Sequence, residues 1–225
     1  MDYIICGKHS VISAYKNKRA KKIYIDNQKK VEEFSNITIE IKNKNFFNKL
    51  TVDSSINHQG YAATVRPIKT FGIKDFENKN KVNLVALQGI EDQGNIGSII
   101  RTCAAFNIDA LLIEKKNFKE SSIQMNKAHV GNIENLKIVL TSNITNPIKQ
   151  LKKNNFTIYC LDNNSEQDLK NYKFHKKSLL IFGSEGKGIK NYIKEQCDIA
   201  LKIKINPNVE SLNLSNAVAI TLSNL

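Results

Sequence analysis

Glycine and arginine are scarce in this chain, and long apolar runs are absent. Glycine accounts for 10 of the 225 residues, and arginine for three against 31 lysines. No apolar stretch approaches the roughly 20 residues that a membrane-spanning helix needs. The N-terminus lacks the basic start, apolar core and small-residue cleavage site of a signal peptide. We therefore expect a soluble, cytoplasmic protein with no membrane segment.

Cysteine is equally sparse, and its positions argue against two classes of site. The four cysteines form no C-x-x-C pair, and the four histidines do not cluster with them. Such scatter is typical neither of a structural zinc site nor of a disulfide framework. We expect no metal and reduced thiols at Cys6, Cys103, Cys160 and Cys197.

Charge of one sign dominates the chain. The formal net charge is +13. Residues 1–80 carry 15 basic and 8 acidic side chains, and residues 81–225 carry 19 and 13, so the excess is not a basic tail. A polyanion such as RNA is the natural partner, although a general lysine bias explains the charge equally well. The three arginines, Arg19, Arg66 and Arg101, stand out because only arginine offers a planar, forked donor.

The pattern of apolar residues divides the chain into two α/β domains. Residues 1–70 read as a small domain that closes with a strand at Tyr61–Val65, and the mixed polar run 71–81 reads as a linker. From residue 82 to 225, aliphatic strands alternate with helices, which predicts a mostly parallel sheet covered on both faces. Within it we expect a helix from about Ile96 to Phe106, a last strand over Ile199–Ile205 and a final helix over Leu212–Leu225.

Six of the ten glycines fall in two loops of the second domain. Each loop follows an apolar strand, and glycine lets a backbone approach a ligand closely. Because parallel strands place their carboxyl ends at one edge, ligands bind there. We expect both loops, together with the segment after Ile205, to form one site. The glycines concerned are Gly89, Gly94, Gly97, Gly183, Gly186 and Gly188.

Each of the three segments has a purely structural interpretation as well as a ligand-binding one. Arg101 lies one helical turn after Gly97, so it points toward the loop or forms a surface salt bridge. The loop with Glu185 matches neither a Walker A motif nor G-x-G-x-x-G. Its carboxylate suits a cationic ligand or a hydrogen-bonding role, or it favours a following helix. Ser211 and Asn213 either cap the last helix or present two side chains to a ligand.

Taken together, the three segments resemble a known family. In chain order they are Asn95-x-Gly97-x-x-x-Arg101, Phe182-Gly183-Ser184-Glu185-Gly186-x-Gly188 and Ser211-Leu212-Asn213-Leu214-Ser215. They resemble the three motifs of the SpoU/TrmH family of RNA ribose 2′-O-methyltransferases. Near the N-terminus, Gly7-x-His9-x-Val11-x-x-Ala14 and His58-Gln59-Gly60 resemble the L30e-like RNA-binding domain of family members that act on 23S rRNA.

The resemblance implies a fold, a cofactor and a set of site residues. It implies an α/β protein whose C-terminal α/β trefoil-knot (SPOUT) domain has a mostly parallel sheet and follows a small L30e-like α/β domain. S-adenosylmethionine is the implied cofactor, and a homodimer is the implied assembly. The implied catalytic residues are Arg101, Asn95, Glu185, Ser211 and Asn213. The implied cofactor-binding residues are Gly183, Ser184, Gly186, Ile205, Leu212 and Leu214.

Three positions depart from the family's pattern. Lys204 stands in an Ile-Lys-Ile segment where Ile-Pro-Met is usual, and Pro207 stands where glycine is common. His129-Val130-Gly131 replaces a Ser/Ala-Gly segment. The polar residues of the three motifs are intact.

The implied reaction is methylation of a ribose 2′-hydroxyl, most simply on a guanosine of 23S rRNA. The hydroxyl is barely ionised at neutral pH, so the site must stabilise the developing alkoxide. Arginine is too basic to lose its proton, which favours hydrogen bonding and charge stabilisation by Arg101 over base catalysis. Alternatives are a tRNA or resistance-type rRNA 2′-O-methyltransferase, a base-directed methyltransferase of the wider knotted superfamily, or a non-catalytic RNA-binding protein of this fold.

Overall fold

The chain forms two β-sheets that lie one after the other in sequence. A computed structural model describes residues 1–50, 58–170 and 172–225. The first sheet has four strands, and the second has six. Each helix within these ranges is too short or too polar to cross a bilayer.

The first sheet is mixed and carries one long helix. Its elements are β1 (Tyr3–Cys6), α1 (Lys8–Lys16), β2 (Ala20–Ile25), β3 (Thr38–Ile41), α2 (Lys44–Leu50) and β4 (Tyr61–Val65). The strand order is β1-β4-β2-β3, with β2 and β3 parallel and the other pairs antiparallel. Val11 and Ala14 of α1 pack on the sheet. A 3-10 helix spans Gln28–Glu33, and the Asn27 side chain caps it by accepting from the Lys29 amide at 3.0 Å.

The second sheet is wholly parallel. Its elements are α3 (Lys74–Glu77), β5 (Val82–Gln88), α4 (Gln93–Ala105), β6 (Ala110–Glu114), α5 (Ile123–His129), β7 (Lys137–Thr141), α6 (Thr145–Lys152), β8 (Thr157–Leu161), β9 (Lys177–Gly183), α7 (Asn191–Lys194), β10 (Ile199–Leu201) and α8 (Leu214–Leu222). The strand order is β10-β8-β9-β5-β6-β7. Aliphatic strands suit this sheet because both of its faces are covered.

Helices cover the second sheet on both faces, as the sequence predicts. Ile96 of α4, Met125 of α5 and Val218 of α8 belong to the core on one face. Helices α3, α6 and α7 contribute to the core on the other. Residues 71–81, assigned to a linker from sequence, include α3, whose Phe76 is fully buried in that second core.

The strand order places the ends of β5 and β9 side by side. Gln88 and Gly183, the last residues of these strands, are paired in register. From this centre, β6 and β7 extend to one side and β8 and β10 to the other. This is a topological switch point, where ligands of open parallel sheets bind. The loops after β5 and β9 are therefore neighbours.

Strand β10 is shorter than the sequence suggests. It ends at Leu201 rather than Ile205, because its neighbour β8 ends at Leu161. Beyond that point the chain that leaves β8 runs alongside Lys202: the Lys202 amide donates to Gln167 O at 2.8 Å, and the Leu169 amide donates to Lys202 O at 2.8 Å. Residues 203–213 are thus free to form an irregular segment at the carboxyl edge.

A buried polar joint connects the two domains. Arg19 Nε donates to Glu134 Oε1 at 2.6 Å, and the two side chains are only 8% and 7% exposed. Arg19 Nη1 also donates to Tyr3 Oη and to the Arg66 carbonyl, both at 2.8 Å. The Ser10 hydroxyl donates to a backbone carbonyl in the middle of α5, and the Ser13 hydroxyl donates to one in the turn that follows α5. The first domain is therefore docked on α5 and the turn after it.

The unusual His129-Val130-Gly131 segment forms this docking turn. Val130 and Gly131 adopt positive φ angles of 52° and 82°. A Cβ at Gly131 would lie 2.7 Å from Ser13 Cβ, so a glycine is required there. Buried His129 accepts from the Gly131 amide through Nδ1, and Nε2 contacts Asn126 Oδ1 at 3.1 Å. Burial, followed by the charge of Arg19, lowers the pKa of His129 to about 4, so the ring is neutral in the folded protein.

Candidate active site

Glu185 joins the three segments singled out in the sequence. Its Oε1 accepts from Asn95 Nδ2 at 3.2 Å, from Asn213 Nδ2 at 3.2 Å and from the Leu214 amide at 3.1 Å. Asn213 Nδ2 also donates to Asn95 Oδ1 at 3.3 Å. These residues are up to 118 positions apart in sequence, and the strand order brings them together. The expectation that the three segments meet is realised in the fold.

The loop after β9 holds Glu185 in place because it folds back on itself. The Gly188 amide donates to Ser184 O at 2.8 Å, and the Lys187 amide donates to Glu185 O at 2.9 Å. A Cβ at Gly183 would lie 2.2 Å from the Gly188 carbonyl carbon, so no side chain fits there. The glycines therefore permit a tight turn whose carboxylate faces α4 and α8.

Asn95 lies in the first turn of α4 rather than in a loop. The helix begins at Gln93, three residues earlier than the sequence suggests, because the Asp92 side chain caps it by accepting from the Asn95 amide at 2.6 Å. Gly97 is also helical. A Cβ there would lie 2.5 Å from Met125 O, so this glycine lets α4 pack against α5. The sequence suggests that Gly97 is glycine because it contacts a ligand, but the structure shows that close packing of α4 on α5 requires it.

Asn213 fulfils the capping role, and its amide group also joins the Glu185 cluster. Its Oδ1 caps α8 by accepting from the Ser215 amide at 2.9 Å. Its Nδ2 remains directed to Glu185 and Asn95. The cap thus orients the side-chain amide toward the other two segments. The predicted helix start at Leu212 moves to Leu214 for the same reason.

Arg101 is the one implied catalytic residue that the fold leaves apart. It lies on α4 and is exposed, and its side chain forms no hydrogen bond or ion pair with any residue that the structure describes. It is also absent from the lining of the cavity beside Glu185. In a single chain its guanidinium is therefore free to bind another molecule.

A cavity of about 290 Å³ lies beside Glu185 at the carboxyl edge of the sheet. This volume is close to the lower end of small-molecule sites, roughly 300 Å³. Glu185 and Ser211 line it, whereas Asn95 and Asn213 do not. All six residues implied for cofactor binding line it: Gly183, Ser184, Gly186, Ile205, Leu212 and Leu214.

Sequence reasoning missed part of the cavity wall. Leu161 and Asp162 follow β8, Lys194 ends α7, and Glu210 belongs to the last irregular segment. Asp162 accepts from Lys194 Nζ at 2.5 Å. The sequence does predict that β8 ends at the carboxyl edge, which could have suggested that residues after β8 contribute to the site. It does not reveal the strand order, which places β8 beside β9.

The chemistry of the lining fits a ligand with positive charge and an apolar part. Glu185 has amide partners but no cation within the described part of the chain, and Glu210 adds a second carboxylate without an ion pair there. The third carboxylate of the lining, Asp162, is neutralised by Lys194, and Lys187 lies in the same wall. Phe182, Leu201 and Ile203 supply apolar surface. S-adenosylmethionine has a sulfonium, an ammonium and an adenine ring, so these residues fit it. Among the described residues, no group of three or more His, Cys, Asp or Glu side chains is placed to hold a metal ion.

Comparison with known proteins identifies the family. The sequence profile of the SpoU rRNA methylase family matches residues 83–223, and that of the RNA 2′-O ribose methyltransferase substrate-binding domain matches residues 4–71. A Staphylococcus epidermidis protein named as a TrmH family tRNA/rRNA methyltransferase is 29% identical over 98% of this chain and 94% of its own length.

Solved structures show the same fold. The AdoMet-bound rRNA methyltransferase from Sinorhizobium meliloti has a TM-score of 0.84 at 19% identity, over 99% of this chain and 86% of its own. The A. aeolicus TrmH/SpoU tRNA modifying enzyme has a TM-score of 0.58 at 22% identity, over 68% of this chain and 79% of its own. The expected fold class, a knotted SPOUT domain after a small α/β domain, is thereby confirmed. The chain belongs to the SpoU/TrmH family of RNA ribose 2′-O-methyltransferases, which use S-adenosylmethionine as the methyl donor.

Proposed function

We propose that this protein methylates a ribose 2′-hydroxyl of ribosomal RNA, most simply that of a guanosine in 23S rRNA, in the cytoplasm. The observation that carries the proposal is the cluster at Glu185. It joins three motif segments beside a cavity whose lining includes every residue implied for cofactor binding. Arg101 lies on α4, the helix that supplies Asn95, and its exposed side chain forms no ion pair or hydrogen bond within the described residues.

The cavity residues hold the cofactor in this proposal. S-adenosylmethionine, when bound, supplies an electrophilic methyl group on sulfur. The backbone of Gly183, Ile205 and Leu212 lines the cavity and offers hydrogen-bonding groups. Glu185 supplies the negative charge that suits a cationic ligand. Its three hydrogen-bond donors fix the carboxylate before the ligand arrives, which reduces the cost of binding.

The polar residues position and activate the ribose. Arg101 donates hydrogen bonds to the 2′-oxygen and stabilises the negative charge that develops on it while the hydroxyl proton passes to solvent water, and a neighbouring RNA phosphate helps to orient the guanidinium. Ser211 lies at the rim of the cavity and positions the ribose. Asn95 and Asn213 hold the Glu185 loop against α4 and α8.

Ribosomal RNA is favoured over tRNA by the first domain. The substrate-binding profile covers residues 4–71, and we propose that residues 1–70 hold RNA while residues 82–225 bind the cofactor. The rRNA methyltransferase from Sinorhizobium meliloti matches nearly the whole chain. The A. aeolicus tRNA modifying enzyme matches about two-thirds of it.

A homodimer belongs to the same proposal. Ile220 on α8, Leu225 beyond it and Phe106 at the end of α4 are exposed apolar side chains, and α4 contacts α8. These apolar side chains lie toward the C-terminal ends of the two helices, whereas Asn95 and Asn213 join the Glu185 cluster at their N-terminal ends. We expect light scattering to give twice the mass of one chain. A monomer at micromolar concentration would contradict this part.

The activity is tested by methyl transfer from radiolabelled S-adenosylmethionine to 23S rRNA and tRNA transcripts. We expect labelled 2′-O-methylnucleosides from 23S rRNA. Arg101→Ala is expected to lower the rate about 100-fold or more, as loss of a transition-state donor does, with unchanged cofactor affinity by calorimetry. Lys149→Ala, an exposed cation on the opposite face of the sheet, is the matched control.

Four outcomes would contradict the proposal in distinct ways. Transfer to tRNA alone would change the substrate. A full rate in Arg101→Ala would remove the role of that residue, and a parallel loss of cofactor affinity would make it a structural one. Label in a base rather than a ribose would refute 2′-O-methylation.

A further inference from the structure

A second groove lies on the first domain, outside the Glu185 cluster. It measures about 810 Å³. We call it the Arg66 groove, and the residues used here are Tyr15, Lys16, Lys18, Lys21, Ser35 and Arg66. It opens at the C-terminal end of α1 and the start of β3, one of the two edge strands of the first sheet.

The Arg66 groove is cationic and largely unneutralised. Four of its lining residues are basic, and none is acidic. Lys21 is paired with Asp2 at 2.5 Å. Lys16, Lys18 and Arg66 form no ion pair with the residues that the structure describes. The cavity at Glu185 differs, because carboxylates and lysines both line it.

Arg66 gives the groove a donor that lysine does not replace. Only three arginines occur in the chain. The Arg19 side chain is buried in the domain joint and paired with Glu134, and Arg101 lies on α4 in the second domain. Arg66 Nη1 donates to Lys18 O at 3.2 Å, which fixes the guanidinium while leaving its other donors available in an exposed position. A planar fork held in this way suits bidentate binding of a phosphate.

The walls of the groove are held by hydrogen bonds. Tyr15 Oη contacts Ser35 at three atoms: it donates to the carbonyl at 2.9 Å, accepts from the amide at 2.9 Å and lies 3.2 Å from Oγ. The Tyr15 ring packs edge-on against Phe34 at 5.1 Å between centroids. Lys18 adopts a left-handed conformation, φ 56°, that ends α1. The cations therefore project from a preformed surface.

The backbone of Arg66 also takes part in the domain joint. Arg66 N donates to Arg19 O at 2.9 Å, and the Arg66 carbonyl accepts from Arg19 Nη1. Arg19 in turn pairs with Glu134 of the second domain. A molecule bound in the groove is thus held at a fixed offset from the domain that carries the Glu185 cluster.

We propose that the Arg66 groove binds the phosphate backbone of an RNA segment distant from the methylated nucleotide. The inference rests on the proposed function for RNA as the substrate and adds the surface that grips it. Lys16, Lys18 and Arg66 pair with the phosphates of consecutive nucleotides and make no contact with the bases, so binding in the groove does not depend on base sequence. The groove thereby anchors the RNA while α4 and the Glu185 loop act on the ribose.

The test is filter binding of a 23S rRNA transcript to the full-length protein over a series of KCl concentrations. Arg66→Ala is expected to weaken binding about tenfold at 0.1 M salt, the loss of one charge-assisted hydrogen bond. Lys16→Ala/Lys18→Ala is expected to reduce the slope of log affinity against log salt by roughly 1.4 to 1.8. Lys149→Ala/Lys153→Ala removes the same charge from an exposed surface of the second domain and is the matched control.

Steady-state kinetics separate anchoring from catalysis. We expect the groove variants to raise KM for RNA with kcat and cofactor affinity unchanged. RNA affinity and salt slope equal to those of the control pair would overturn the groove, even if Arg66→Ala alone proved unstable, because the lysine variant removes no hydrogen bond in the fold. Failure of the wild-type protein to bind or methylate RNA would instead overturn the proposed function.

Discussion

The Arg19–Glu134 pair permits a quantitative prediction. Glu134→Gln keeps the size and the acceptor oxygen of the side chain but removes its charge. Arg19 is then left as a buried cation whose direct partners, the Tyr3 hydroxyl and the Arg66 carbonyl, are neutral, and the Glu120 carboxylate is linked to it only through the Tyr3 hydroxyl. Removing one partner of a buried ion pair costs about 3 to 5 kcal/mol. Because the acceptor oxygen remains, we expect the lower end, about 3 kcal/mol of unfolding free energy.

The expected loss is large enough to measure simply. For a chain of this length, about 3 kcal/mol lowers the melting temperature by roughly 6–12 °C. Urea unfolding followed by circular dichroism gives the free energy directly. Glu195→Gln, at an exposed carboxylate on the surface of the second domain, is the control and should change stability by less than about 0.5 kcal/mol.

A double variant distinguishes charge from packing. Arg19→Met/Glu134→Leu removes both charges and leaves apolar side chains of similar size, so it should recover much of the stability that Glu134→Gln loses. If Glu134→Gln proved as stable as Glu195→Gln, the buried pair would contribute no net electrostatic stabilisation. If the double variant were the least stable of all, the hydrogen bonds from Arg19 to Tyr3 and Arg66, and not the ion pair, would account for the stability that the domain joint contributes.

Three further changes test other parts of the fold. Gly97→Ala drives a Cβ to 2.5 Å from Met125 O, so we expect α4 to shift, about 1 to 3 kcal/mol of stability to be lost and methyl transfer to slow. Gly183→Ala places a Cβ 2.2 Å from Gly188 and should weaken cofactor binding roughly tenfold or more by calorimetry. Unfolded histidine protonates near pH 6.5, whereas His129 does so near pH 4, so stability should fall by about 3 kcal/mol as pH drops through that window. His129→Gln should flatten that part of the pH profile.

Gly97→Ala has a matched comparison on the same helix. Gly94→Ala meets only the flexible Gln124 and Asp92 side chains, so equal effects of Gly94→Ala and Gly97→Ala would remove the packing explanation for α4. Gly186 has open space for a Cβ but a φ of 76°, so Gly186→Ala reports backbone strain in the loop rather than a clash. An unchanged pH profile in His129→Gln would assign the acid instability to other groups.

The sequence by itself determined the alternation of strands and helices and the three polar segments. Aliphatic runs such as β5 and β9 are evident because a doubly covered strand needs apolar residues on both faces. The six cofactor-binding candidates all line one cavity, because each lies at the carboxyl end of a strand or beside a motif. Their roles in binding remain a proposal.

Only the tertiary structure decided the strand order, the domain joint and the contribution of β8 to the cavity. Arg19 and Glu134 are separated by 115 residues, and neither position has a local pattern that identifies the other. Gly97 looked like a ligand-contacting glycine because the sequence does not reveal that α5 lies against it. Local periodicity follows from neighbouring residues, whereas these contacts depend on how distant elements pack, and that packing is set by the shape and burial of the whole chain.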